Sequence, residues 1–267
     1  MIEVRNLGKR FKNFWALQDV SFKLEKGEVL GIVGKNGCGK TTLLNLIAGI
    51  LRPSSGKIIT NNSGVISYIP EKPILIPEIS LEDNIKYFAD LRKISNKRIL
   101  EEIEYFGLKP HIRKKPKELS KGLQQRLSMI IALLPDPEII LMDEPTSGLD
   151  IESKKLIIER IEKLKKSEKI VLYVTHEDEE IEKICSKVLI LESGKTLFFG
   201  TVKDFWEKYE RFVYVIFEGT NKPVLVKIEK LKELDNLIHV RSIGIRELIS
   251  GGVEFETNGG KSFIEAN

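Results

Sequence analysis

With 267 residues, 42% of them hydrophobic and 31% charged, the chain is long enough to bury the core of one large domain and a small second one. Its formal net charge of +4 is mild, and its two cysteines lie far apart without metal-ligand spacing, which argues against a disulfide-stabilised secreted domain. No apolar stretch approaches the roughly 18 residues that cross a bilayer, and the N-terminus lacks the apolar core of a signal peptide, so we expect a cytosolic protein.

Apolar runs typical of strands alternate with helical patterns along the first two hundred residues. Several of these runs are apolar enough to be buried on both faces, as strands of a parallel sheet are. Strands are predicted at residues 2–4, 20–22, 29–33, 58–59, 65–69, 139–142, 170–174 and 188–191. Helices are predicted after Ser80, which is a suitable N-cap, and over residues 96–106 and 153–166. This alternation predicts an α/β fold.

The pattern changes after a short predicted helix that carries Phe205 and Trp206. We place a boundary near residue 210, which gives a main domain at 1–210 and an accessory α+β domain at 211–267 that braces or regulates it. Residues 212–217 predict a strand buried between layers, with Leu231, Leu234 and Leu237 as packing partners. Residues 201–267 hold ten Lys and Arg against eleven Asp and Glu, so this region is not a basic nucleic-acid arm.

A glycine-rich segment after the predicted strand at 29–33 fits the phosphate-binding template G-x-x-x-x-G-K-[ST]. Its glycines allow a tight turn in which several backbone N–H groups face a phosphate, and the following helix adds the positive end of its dipole. Lys40 would reach the β- and γ-phosphates of a nucleotide, and the Thr41 hydroxyl would bind Mg²⁺. The alternative is an ordinary strand-to-helix turn. The predicted nucleotide-binding residues here are Gly34, Lys35, Asn36, Gly37, Cys38, Gly39, Lys40, Thr41 and Thr42.

Cys38 sits in this segment at the start of a predicted helix, a position that favours a thiolate. We therefore expect Cys38 to be alkylated faster than Cys185, and a bound nucleotide to slow that reaction. The alternative is a small residue shielded by the loop.

Two adjacent acids, Asp143 and Glu144, end the predicted buried strand at 139–142. An acidic pair at a strand end is often only a strand terminus. With a phosphate-binding segment upstream, the pair gains a mechanism, in which Asp143 binds Mg²⁺ directly or through water and Glu144 polarises the attacking water.

Three further motifs are Leu119 to Arg126, Ser147 to Asp150, and His176 after a strand. Together with the phosphate-binding segment and the acidic pair, they resemble the motifs of the ATP-binding cassette ATPases. The resemblance covers about residues 1–205. The segment 119–126 is similar to the family signature L-S-G-G-Q-Q-R. The resemblance implies a P-loop NTPase cassette in which a mostly parallel sheet carries an antiparallel β subdomain and a helical subdomain. It also implies a dimer of two cassettes, head to tail, with each ATP between one phosphate loop and the partner's signature.

The signature segment departs from the family pattern at two positions. Ser120 is a good N-cap, and the helix after it would present N–H groups to the partner's γ-phosphate. Lys121 stands where the family usually has glycine, which adds a cation that can face phosphate, and Gly122 matches the family. Leu123 replaces the usual glutamine, so a polar contact or capping-box contact from this position is lost.

Three further residues are assigned roles by the resemblance. Phe11 corresponds to the aromatic residue that stacks on adenine, although Phe14, Trp15 and plain core packing are alternatives. Glu71 stands where the family usually has a glutamine that touches Mg²⁺ and moves with the membrane partner, and the alternative is a solvated acid. His176 would contact the γ-phosphate, whereas a lone histidine is usually structural.

The resemblance implies an ATP-hydrolysing subunit of a membrane transporter, in which Glu144, His176 and Lys40 are catalytic and ATP and Mg²⁺ bind. We expect a homo- or heterodimer beneath separate membrane permease subunits, at the cytoplasmic face of the cell membrane, similar to bacterial exporters. The alternative is a soluble cassette ATPase acting on proteins or nucleic acid. The basic run at 111–117 has no interleaved aromatic residues, so no nucleic-acid partner is expected. A degenerate, non-enzymatic cassette is opposed by the joint presence of Lys40, Asp143, Glu144 and His176.

Overall fold

Strands and helices alternate along most of the chain in this computed structural model, which describes residues 1–60, 64–209, 212–217, 224–233, 237–250, 254–257 and 260–263. The strands are β1 (Ile2–Phe11), β2 (Phe14–Leu24), β3 (Val29–Val33), β4 (Ser55–Thr60), β5 (Ile66–Ile69), β6 (Ile139–Asp143), β7 (Ile170–Val174), β8 (Lys187–Glu192), β9 (Lys195–Thr201), β10 (Phe212–Phe217), β11 (Val224–Lys227), β12 (Leu237–Ser242), β13 (Glu254–Thr257) and β14 (Gly260–Phe263). The helices are α1 (Lys40–Ile47), α2 (Leu81–Asp90), α3 (Asn96–Tyr105), α4 (Lys121–Leu133), α5 (Ile151–Lys166), α6 (Asp178–Ile184), α7 (Val202–Lys208) and α8 (Ile245–Ser250).

The central sheet has six strands in the order β5-β6-β7-β3-β8-β9. The first five are parallel, and β9 runs antiparallel to β8. Every residue of β3, β6 and β7 is buried, as expected for parallel strands that are covered on both faces. The segments that follow these three strands therefore meet at one edge of the sheet, which is where α/β proteins bind their ligands.

Two subdomains flank this sheet, as the resemblance implies. Strands β2, β1 and β4 form a separate antiparallel sheet. Helices α2, α3 and α4 form the helical part, and the Ser80 hydroxyl caps α2 by accepting a hydrogen bond from the Asp83 N–H at 3.1 Å. The P-loop α/β fold and its antiparallel and helical subdomains are thus confirmed.

The accessory region begins with a small antiparallel sheet in which β10 lies between β11 and β12. Val213 and Val215 are buried, whereas Tyr214 and Ile216 on the opposite face are only partly buried. The prediction of a strand buried on both faces is therefore right for one face only. Of the partners expected for it, Leu231 and Leu237 are partly buried, and residue 234 lies outside the described residues.

Three buried residues of the accessory region, Ile243, Ile245 and Leu248, belong to the same hydrophobic core as Ile181 and Ile184 of α6. The region is therefore packed against the cassette. The boundary placed at residue 210 lies outside the described residues and stays a prediction.

Within the described ranges, the structure contains no helix that is both long and apolar enough to cross a membrane.

Candidate functional site

The phosphate-binding segment forms the turn between β3 and α1. Gly39, just before α1, has a φ of 108°, and a Cβ atom there would lie 2.6 Å from the backbone oxygen of Ala16. Only glycine fits this position. The Lys40 side chain is buried, and its Nζ donates hydrogen bonds to the backbone oxygens of Gly34 at 2.8 Å and Lys35 at 3.2 Å. The loop therefore holds the ammonium group against its own backbone.

A cleft of about 380 Å³ opens over this loop and α1. Phe11 and Phe14 form one wall and are 44% and 64% exposed, which leaves their rings available to a ligand. Trp15 does not line the cleft, so the choice of aromatic partner for a base narrows to the other two residues. The lining residues are Phe11, Phe14, Ala16, Asn36, Gly37, Gly39, Lys40, Thr41, Thr42 and Glu144.

The structure contradicts the expected thiolate at Cys38 and favours the alternative, a small residue shielded by the loop. The Cys38 side chain is buried, and a Cβ atom added at Gly34 would lie 2.5 Å from its sulfur, so the thiol faces the inside of the loop rather than the cleft. Burial raises the pKa of the Cys38 thiol, and the lowering effect of the nearby Lys40 charge is smaller. Cys185 is also buried, with its pKa raised by desolvation. The helix start therefore does not make Cys38 a reactive thiolate.

Asp143 and Thr41, two of the three residues predicted to bind Mg²⁺, lie side by side. The Thr41 hydroxyl donates a hydrogen bond to Asp143 Oδ2 at 2.8 Å, and the Asp143 side chain is buried. The Tyr68 hydroxyl donates to the same oxygen at 3.3 Å. Burial and the Asp143 charge raise the pKa of Tyr68, which stays a neutral donor. Mg²⁺ prefers oxygen ligands, and here a hydroxyl oxygen and a carboxylate oxygen lie in contact, so the residues present fit this ion.

Glu144 and His176 also meet at the sheet edge. His176 Nε2 lies 2.5 Å from Glu144 Oε1, with both side chains about one-fifth exposed (23% and 20%). The Glu144 backbone has a φ of 49°, in the left-handed region, and its N–H donates to the backbone oxygen of Val174 at 3.0 Å. This conformation is uncommon for a residue other than glycine and is frequent at functional sites. It turns Glu144 toward the cleft while Asp143 still belongs to the strand.

A buried carboxylate behind this pair was not expected from the sequence. Glu180 Oε2 accepts hydrogen bonds from the hydroxyls of Thr146 at 3.0 Å, Tyr173 at 2.6 Å and Thr175 at 2.5 Å. Thr146 follows Glu144 by two residues, and Thr175 precedes His176. Glu180 thus joins the two segments that carry the catalytic candidates.

The signature segment is built around a close contact between α4 and α5. The Ser120 hydroxyl caps α4 by accepting from the Leu123 N–H at 3.3 Å. A Cβ atom at Gly122 would lie 2.4 Å from Ser153 Oγ and 2.9 Å from Asp150 Oδ2, so a larger residue does not fit here without movement. Arg126 Nη2 donates to Ser153 Oγ at 3.0 Å and fixes the two helices to each other.

The two departures from the family pattern have different surroundings. The Lys121 side chain is exposed, and its Nζ donates to the backbone oxygen of Ser147 at 2.6 Å, which ties the signature to the segment after Glu144. Leu123 is partly buried and packs against the core. Where the family pattern has a glutamine, this chain therefore has a side chain that makes apolar contacts.

Not all predicted site residues come together. Ser120, Lys121 and Gly122 do not line the cleft, and Ser120 and Lys121 are exposed to solvent. Glu71 follows β5 at the same sheet edge, is exposed, and has no hydrogen bond or ion pair with any residue that the structure describes. The residues that line the cleft thus form one group, and the signature residues lie outside it.

The parallel sheet, the phosphate loop at its edge and the two acids at the end of β6 define a P-loop nucleotide-binding ATPase. The family model described as "ABC transporter" matches residues 17–147. A second model, described as "AAA domain, putative AbiEii toxin, Type IV TA system", matches residues 115–182.

Relatives and a solved structure extend this likeness over most of the chain. An uncharacterized ABC transporter ATP-binding protein of Methanocaldococcus jannaschii is 37% identical over 218 residues, which cover 80% of this chain and 82% of that protein. The ABC transporter ATP-binding protein NatA of Bacillus subtilis is 34% identical over 226 residues, with 78% and 92% covered. A dimeric cassette in a post-hydrolysis state, bound to ADP and Pi, superposes with a TM-score of 0.70 at 26% identity, covering 76% of this chain and 99% of that one.

The chain therefore belongs to the ATP-binding cassette (ABC) transporter family, and it is an ATP-binding, ATP-hydrolysing subunit of that family.

Proposed function

We propose that the chain hydrolyses ATP in the cleft over the phosphate loop, with Glu144 as the general base. The observation that carries this proposal is that Glu144 lines the same cleft as Lys40 and Thr41, with His176 in contact with its carboxylate. The loop N–H groups and Lys40 hold the phosphates, and Phe11 or Phe14 stacks on the adenine ring. Glu144 takes a proton from the water whose oxygen bonds to the γ-phosphorus, while the bond between that phosphorus and the β–γ bridging oxygen breaks and ADP leaves. His176 contacts the γ-phosphate.

The residues that would hold Mg²⁺ are Thr41 and Asp143, which are already in contact at 2.8 Å. When bound, the ion neutralises charge on the phosphate oxygens. Glu71, one strand away, supplies a further oxygen ligand in this proposal and signals to the membrane partner.

Two copies of the cassette act together in this proposal. Ser120, Lys121 and Gly122 are directed at the ATP of the partner cassette, which agrees with their separation from the cleft of their own chain. Because the helix N-terminus favours an anion, ATP holds the two surfaces together, and loss of the γ-phosphate loosens them.

The dimer drives transport through separate membrane permease subunits at the cytoplasmic face of the membrane. The names of the relatives, which are ABC transporter ATP-binding proteins, support this over a soluble cassette ATPase acting on proteins or nucleic acid. The export direction rests on Glu71 and the segment 121–123, which resemble exporter cassettes.

The test is the substitution Glu144→Gln, which preserves shape and removes the base. We expect turnover of MgATP to fall at least ~10²-fold, while the affinity for MgATP measured by calorimetry stays unchanged. Glu78→Gln, at an exposed acid outside the cleft, is the matched control and keeps normal turnover. Near-normal hydrolysis by pure Glu144→Gln protein would refute the assignment of the base.

A further inference from the structure

The loop that carries His176 is contacted from outside by the accessory region. Arg246, in the first turn of α8, donates a hydrogen bond from Nη1 to the backbone oxygen of His176 at 3.1 Å. Its own backbone N–H donates to Asp178 Oδ1 at 2.7 Å. One residue of the accessory region thus binds both the loop between β7 and α6, at His176, and the first residue of α6, Asp178.

These hydrogen bonds lie at a tightly packed contact. A Cβ atom at Gly244, just before α8, would lie 2.0 Å from Asp178 Cγ, so the two segments approach as closely as a glycine allows. Ile245 and Leu248 of α8 are buried in the same hydrophobic core as Ile181 of α6. The packing therefore fixes α8 relative to the His176 loop, and Arg246 is held where it can restrain that loop.

The inner side of the same loop faces the catalytic edge. His176 Nε2 contacts Glu144 at 2.5 Å, and the Glu177 N–H donates to Thr175 Oγ1 at 3.1 Å. A displacement of the His176 backbone would move its imidazole away from Glu144. Catalytic groups lose efficiency when they are displaced by fractions of an ångström to an ångström.

We infer that Arg246 is a positioning residue for ATP hydrolysis, which holds the His176 backbone so that the imidazole stays at Glu144. The inference rests on the proposed roles of Glu144 and His176. It gives the accessory region a part in the reaction, because any partner or movement that shifts α8 changes the position of His176.

A double-mutant cycle in the full chain tests this inference, with Arg246→Ala, His176→Ala and the double variant. We expect Arg246→Ala to lower kcat about three- to tenfold, the effect of losing one hydrogen bond, with KM for ATP unchanged. Arg246→Lys recovers part of the loss, since an ammonium group also donates to a carbonyl oxygen. Lys230→Ala removes the same charge from an exposed position of the accessory region and leaves kcat normal.

The cycle separates this inference from the proposed function. If Arg246 acts through His176, Arg246→Ala causes no further loss in the His176→Ala background. If the two effects multiply, or if Arg246→Ala behaves like Lys230→Ala, the inference is wrong and the proposed function stands. If His176→Ala alone hydrolyses ATP normally, the role proposed for His176 fails, and the inference fails with it. Melting temperatures of Arg246→Ala and Lys230→Ala equal to that of the unmodified chain show that neither variant loses its fold.

Discussion

Two adjacent acids at the end of β6 contact different partners because their backbone conformations differ. Asp143 is the last residue of the strand and faces Thr41 and Tyr68. Glu144 adopts a φ of 49° and faces His176 instead. Such a conformation costs on the order of 1–3 kcal/mol, and here it separates the proposed metal ligand Asp143 from the proposed general base Glu144.

The hydroxyl cluster around Glu180 makes a prediction for a single residue. Glu180→Ala leaves the hydroxyls of Thr146, Tyr173 and Thr175 without their shared acceptor, so we expect the free energy of unfolding to fall by about 1–3 kcal/mol. Glu180→Gln keeps an acceptor oxygen of lower charge and is expected to lose less. Thermal or denaturant unfolding measures both effects.

Glu179→Ala is the control, since Glu179 precedes Glu180 in the same helix and is exposed. Its effect is expected to stay within about 0.5 kcal/mol. Equal stabilities of the two alanine variants would show that the cluster does not contribute.

At the scale of elements, the contact between α4 and α5 depends on Gly122. Gly122→Ala places a methyl group 2.4 Å from Ser153 Oγ, so we expect a loss of about 1–3 kcal/mol of stability from overpacking. Ser153→Ala removes that oxygen atom. In the Ser153→Ala background, the cost of Gly122→Ala should therefore be smaller. Denaturant unfolding of the four proteins measures the difference, and an unchanged cost in both backgrounds would contradict the packing account.

The sequence allowed the elements to be predicted where local signals are strong. The apolar runs and the template around Lys40 predicted β3, α1 and β6. Strand β9 was not predicted, since Lys195–Thr201 is polar at several positions and is defined by pairing with β8. The two-residue turn at Ser193 and Gly194, both at positive φ, is the local signal that could have revealed this hairpin.

Site residues could be predicted only where a motif of fixed spacing points to a single residue. Glu180 is the last of four consecutive acids at 177–180, and only the helical geometry of α6 shows which of them is buried. Cys38 was predicted to be a thiolate from its position at a helix start, whereas its side chain points into the loop and is buried. The contact between Tyr68 and Asp143 could not be predicted from the sequence, because it depends on β5 lying beside β6. Glu71 stays a prediction as a metal ligand.

At the scale of the whole molecule, the signature residues Ser120, Lys121 and Gly122 lie outside the cleft of their own chain. In a single copy, the phosphate loop and Glu144 line the cleft, whereas Ser120 and Lys121 do not. In the proposed head-to-tail dimer, a second copy supplies these residues. The account thus makes the ATP-bound dimer the hydrolytic unit.

Sedimentation of the Glu144→Gln protein with MgATP and with MgADP tests this central claim most directly. Because bound ATP is expected to persist when the base is removed, we predict a dimer with MgATP and a monomer with MgADP. Adding Lys40→Ala in the same background removes a phosphate contact and should abolish the dimer with MgATP. A Glu144→Gln protein that binds MgATP and yet remains a monomer at concentrations far above its affinity for MgATP would contradict the account.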